Sequence, residues 1–157
     1  WCMGKFIGQA CQILLALLLS AVGAWLVGFI RMEHFAPVDS MLAMLLFAVK
    51  AWIYALAFLG LATGISQFFS SPNIASAASF IALTILAILG GISSHFANPN
   101  TLCGKTWDLV NLLIPSGHKI DLWRSEPDHV IPAIVFLSAI SIAYMLIGHS
   151  YFSRRDL

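Results

Sequence analysis

The sequence predicts an all-α membrane protein whose single chain crosses the bilayer four times. Three observations carry that prediction. Ala51 to Gly104 contains no Asp, Glu, Lys or Arg, a run that a water-exposed surface cannot sustain. Of the 157 residues, 60% are hydrophobic and 10% charged, against about 25% charged in soluble domains. Four apolar runs, each close to or above the ~20 residues that cross a hydrocarbon core, are separated by polar or turn-forming segments.

Phe6 to Ile30 forms the first run, free of charge, with Lys5 at one mouth and Arg31 at the other. Gly4, Gly8, Ser20, Gly23 and Gly28 are small residues of the kind that let helices approach closely in lipid; the alternative is a lipid-facing anchor. Arg31 to Ser40 mixes charges with Pro37, and the Asp39-Ser40 pair suits a helix N-cap.

The second span is expected from Met41 to Phe69. An ionisable residue inside a span is a functional candidate by default, and Lys50 lies here. With Trp52 and Tyr54 beside it, Lys50 also reads as an interfacial cation whose stem lies along apolar surface; the alternative is a charge facing substrate or a partner subunit. Gly60 and Gly64 follow the small-xxx-small spacing of close helix contacts.

Ser70-Ser71-Pro72-Asn73 is a cluster of turn formers, which makes spans two and three a hairpin. The third span is expected from Ile74 to Ile92, ending at Gly90-Gly91 as a fray or kink.

Ser93 to Val130 is the one long polar segment. Its Trp107, Leu113, Ile114, Leu122 and Trp123 give it more apolar surface than a disordered loop carries. Trp107 to Ile114 reads as a short amphipathic helix stopped at Pro115-Ser116-Gly117, and His118 to Trp123 as a second short turn. Such pieces between two spans suit helices lying in, or dipping into, the interface. Ile131 to Ser153 is the last span, closed by Arg154 and Arg155 as a basic stop.

Four spans put both termini on one side. Counting the cations that hug the span ends, Lys5, Arg154 and Arg155, favours both termini in the cytoplasm. The net charge of +1 comes with no basic patch, so nucleic acid is excluded as a partner. His34, His95, His118, His129 and His149 show no metal-ligand spacing, and Cys2, Cys11 and Cys103 form no CxxC pair. No phosphate loop or nucleophile-base arrangement is present. No cofactor, metal site or intrinsic catalysis is expected. The chain opens on Trp1 with no signal-peptide pattern, so upstream sequence is expected.

The order of parts then becomes informative. Gly4-Lys5-Phe6 heads a Leu-rich span. Leu59-Gly60-Leu61-Ala62-Thr63-Gly64-Ile65-Ser66 precedes Phe69-Ser70-Ser71. Leu113-Ile114-Pro115 interrupts short outer helices, and the chain ends Tyr151-Phe152-Ser153-Arg154-Arg155-Asp156-Leu157. This resembles the carboxy-terminal two-thirds of the type 2 ATP-binding-cassette (ABC) exporter permeases, membrane subunits of bacterial exporters for drugs, lipids and polysaccharides. The resemblance implies a single transmembrane domain, residues 1–157, representing the last four of six spans and lacking the coupling helix. It also implies a bacterial inner-membrane location. The implied partners are membrane lipid, separate ABC ATPase subunits that hydrolyse the ATP, and a second permease, identical or homologous. The segment from Trp107 to Trp123 would stand near the exit of the pathway. A non-transport assembly subunit of a larger membrane complex is the alternative.

Overall fold

In the computed structural model, residues 2–31, 37–96, 106 and 110–155 are described. They are helical almost throughout, with no strand among them. Four helices are long and apolar enough to cross a membrane. They are α1 (Cys2–Arg31), α2 (Pro37–Ser66), α3 (Pro72–Phe96) and α5 (Pro127–Arg155); a short α4 (Lys119–Trp123) precedes the last.

Every helix starts before the span expected from its apolar run, and all but α2 also run past its end. The polar ends that mark where hydrocarbon stops do not stop a helix, because backbone hydrogen bonds continue into the interface. Proline sets three of the starts. Pro37, Pro72 and Pro127 each open a helix, the position where a missing N–H costs nothing and a fixed φ helps. The second span therefore begins at Pro37 rather than Met41, and the third at Pro72 rather than Ile74. Pro72 belongs to α3, not to the turn. At the other end α2 stops at Ser66, three residues before Phe69. The Gln67 and Phe68 N–H groups bond to the Gly64 and Ile65 carbonyls at 3.2 and 3.0 Å, the tight i→i−3 closure common at helix ends. Gly90-Gly91 neither frays nor ends α3, which runs on to Phe96. Pro132 lies inside α5, one turn beyond its start.

The chain divides into two compact units, Trp1–Ala55 and Leu56–Leu157. The first holds α1 and α2 as far as Ala55. The Trp52 indole Nε1 donates to the Ala10 carbonyl at 2.8 Å, with Ala10 itself buried. Trp25 and Phe29 stack along α1. Ile7, Leu15, Leu19, Val27 and Ile30 point outward, as lipid-facing side chains do where there is no hydrophobic drive to bury them against protein.

The second unit holds the rest of α2, with α3, α4 and α5. Its core mixes small and large residues: Ala57, Ala75 and Ala133 are buried, as are Leu122, Leu137, Ile140 and Met145. On α5 the buried positions Ala133, Leu137, Ile140, Ser141, Met145 and Gly148 recur at steps of three and four, which draws one stripe down the helix. Serine and threonine hydroxyls in these spans bond to carbonyls of their own helix, as Thr63 does to Leu59 and Thr84 to Phe80, both at 2.8 Å. Two reach across instead: Ser79 Oγ donates to Ala62 O at 3.3 Å and Ser141 Oγ to Leu56 O at 2.8 Å. Those two bonds tie α3 and α5 to α2.

Candidate functional site

Two constellations in the second unit combine polar chemistry with close backbone approach. The first is a seam of small residues between α2 and α5. A Cβ added at Gly60 would stand 2.8 Å from Ser141 Cα and collide with its carbonyl oxygen. One added at Gly64 would collide with the Tyr144 carbonyl, and one at Gly148 would lie 2.7 Å from Gly64 Cα. Real side chains never approach so closely, so the two backbones touch only because these positions carry no side chain. Ser141, between them, uses its hydroxyl on the Leu56 carbonyl. Other glycines differ. Gly4, Gly8, Gly23 and Gly91 have nothing within 4 Å of such a Cβ.

The second constellation is the segment before α5. Thr106 and Val110 to Leu113 are helical. A 3₁₀ turn, Pro115–His118, then leads into α4. This segment returns along α5 instead of standing off it. His118 stacks on Phe136, ring centroids 5.2 Å apart and nearly parallel. The Tyr144 hydroxyl donates to the Leu113 carbonyl at 2.9 Å. At ~1.5 Å of rise per residue, Phe136 and Tyr144 are rooted about 14 and about 26 Å along α5 from Pro127. The turn after Leu113 is thus held well down the length of the helix, not at its mouth.

This segment, a short hairpin from Val110 to Trp123, is internally braced. His118 Nε2 lies 3.0 Å from the Leu112 carbonyl; a carbonyl only accepts, so Nε2 carries the proton. Gly117 N–H bonds to Ile114 O at 3.0 Å. Gly117 itself permits this turn, because a Cβ there would meet the Asn111 backbone. Ile114, Pro115 and Leu122 are buried. On the α3 side, a Cβ at Gly90 would lie 2.6 Å from Ser116 Oγ, so Gly90 makes room for the turn. Arg124 and Asp121, 3.7 Å apart, pair on the exposed surface, where such pairs contribute little.

The remaining sequence candidates disperse. Leu113 presents its carbonyl to Tyr144 while its side chain is exposed; Pro115 is fully buried and Trp123 half-buried. Trp107 lies outside the described residues, as does the side chain of Arg155. Lys50 sits near the middle of α2, about 20 Å along the helix from Pro37, and is half-buried. Lys5 and Arg154 are exposed near the ends of α1 and α5. Among the described residues no three His, Cys, Asp or Glu side chains come together as a metal site would need.

Sequence reasoning missed Ser141, Tyr144, Gly148, Ser116 and Gln67. A weak signal existed for three of them: Ser141, Tyr144 and Gly148 fall seven residues or fewer apart on one face of an otherwise aliphatic run. Gln67 is nine-tenths buried with neither amide atom bonded, and nothing in its local sequence marks it.

Compared with known proteins, the chain matches one family model, described as ABC-2 family transporter protein, over residues 2–157. No curated protein and no solved structure matches.

Proposed function

Because the chain belongs to the ABC-2 family of transporter proteins, and is therefore a membrane permease component of an ABC transporter, we propose that it is the pathway-forming subunit of an ATP-driven exporter. Separate ABC ATPase subunits, the partners that the family implies, supply the energy. A second permease, identical or homologous, completes the pathway. The match over essentially the whole chain carries the proposal. In this reading both termini are cytoplasmic, in a bacterial inner membrane, with Lys5, Arg154 and Arg155 at the cytoplasmic face. The hairpin from Val110 to Trp123 then stands at the outer, exit side.

The geometry supplies a rationale. A permease must adopt two packings of the same helices. A seam in which backbones meet without interlocked side chains, as at Gly60, Gly64 and Gly148, can shift along its length at low cost, because no knob has to leave a hole. Tyr144 lies one turn from Gly148 on α5 and holds the tip of the outer hairpin. Movement of α5 along the seam pulls on that tip. One element thereby links the α2 contact to the exit-side segment, and the chain itself needs no catalytic residue.

The test is purification of the full protein from its native membrane under mild detergent. A Walker-motif ATPase chain should co-purify in stoichiometric amount, and ATP hydrolysis by the complex should fall when Gly64 is replaced by Leu. A protein that stays monodisperse and alone through the same procedure would overturn the proposal.

A further inference from the structure

At the end of α5 opposite the hairpin, a cleft of about 230 Å³ opens between α5 and the residues that follow α2. Ile147, Ser150, Tyr151 and Arg154 line one wall, at the steps of three and four that share a helix face, and Phe68 lines the other. The Phe68 and Tyr151 ring centroids are 4.5 Å apart. The cleft is smaller than the ~300 Å³ at which pockets for drug-sized ligands begin.

Its charge is unbalanced. Arg154 is exposed, with no acidic partner among the described residues. The described acids of this unit are Asp121, Glu126 and Asp128, which lie before α5 or in its first turn. Asp128, in that first turn, is about 40 Å from Arg154 along the helix. No described acid pairs with Arg154. A planar guanidinium takes phosphate oxygens bidentately. Beside it, Ile147 and the two rings offer an apolar surface that a free phosphate or soluble metabolite would leave wet.

We propose that this cleft seats an anionic phospholipid, its phosphate on Arg154 and one acyl chain against Ile147 and Phe68. The position at a span terminus puts the guanidinium at headgroup depth, where interfacial arginines anchor helices. This inference does not depend on the direction of transport or on which face is cytoplasmic.

The experiment is native mass spectrometry of the intact protein released from nanodiscs of dioleoylphosphatidylcholine and dioleoylphosphatidylglycerol in equal parts. Retained phosphatidylglycerol should exceed phosphatidylcholine about fivefold, the preference that a single interfacial cation confers. Arg154→Gln should bring the ratio close to one, and Arg31→Gln should leave it unchanged. Millimolar glycerol phosphate should not displace the lipid. An unchanged ratio in Arg154→Gln, an equal fall in Arg31→Gln, or displacement by glycerol phosphate would each overturn the proposal; the last would mark a site for a free phosphate ester instead.

Discussion

At the scale of single residues, the consequential groups are those whose polar atoms have to be satisfied away from water. The Tyr144 hydroxyl is one. Its bond to the Leu113 carbonyl joins two segments 31 residues apart, and hydrogen bonds within membrane domains contribute about 0.6 kcal/mol on average, up to ~1.7. Tyr144→Phe should keep the fold but loosen the hairpin tip. In a background with Cys2, Cys11 and Cys103 changed to Ser, a Leu113→Cys reporter should react with a water-soluble maleimide about threefold to tenfold faster once the hydroxyl is gone. An unchanged labelling rate would mean the bond holds nothing. Gln67 presents the opposite case, a buried amide with both ends unbonded. Burying such a group without partners costs about 1–3 kcal/mol, so Gln67→Met should raise the thermal midpoint in detergent. A lowered midpoint would show that the amide has a partner, such as an internal water or a bound ligand.

At the scale of helices, glycine substitutions separate contact from composition. Gly64→Ala forces a methyl group against the Tyr144 backbone and should destabilise by about 1–3 kcal/mol, the usual cost of overpacking. Gly91→Ala meets nothing and should stabilise by up to ~1 kcal/mol through helix propensity. Gly90→Ala, its immediate neighbour, should lose that gain because Ser116 occupies the space. Thermal unfolding of the three variants side by side checks the ordering; Gly64→Ala and Gly91→Ala behaving alike would refute the seam. The helices themselves were legible from composition. Each apolar run became a helix because lipid leaves backbone groups no partner but their own segment. The ends were less legible. Pro37, Pro72 and Pro127 look like breakers in a linear sequence, yet each serves as a first helical residue, and only the chain direction around it distinguishes the two uses.

At the scale of the whole chain, an even number of spans places the two ends on one face, and the proposed orientation makes that face cytoplasmic. Cysteines introduced at Ser153 and at Asn73, in the same cysteine-free background, should both resist a membrane-impermeant thiol reagent in intact cells and both react after permeabilisation. Labelling of Ser153→Cys in intact cells would reverse the orientation; disagreement between the two sites would break the four-span topology.

Sequence alone determined that this chain is an all-helical membrane protein with four spans, because the cost of unsatisfied backbone and of charge in hydrocarbon is local and acts on each segment separately. It also carried the family resemblance, through the order of Gly-Lys head, glycine-bearing hairpin, proline-broken outer helices and basic tail. The spacing marked Gly60 and Gly64 in the sequence, but what they touch, and the part played by Gly148 and Gly90, was decided only by tertiary structure. Gly60 and Gly64 meet the α5 backbone while Gly91, in the same unit and an equally apolar helix, meets nothing. The Tyr144–Leu113 bond and the cleft at Arg154 were likewise invisible, since each depends on residues brought together from distant parts of the chain. When nearly every helix face is apolar, hydrophobic patterning no longer says which face turns inward, and close packing of backbones makes that choice.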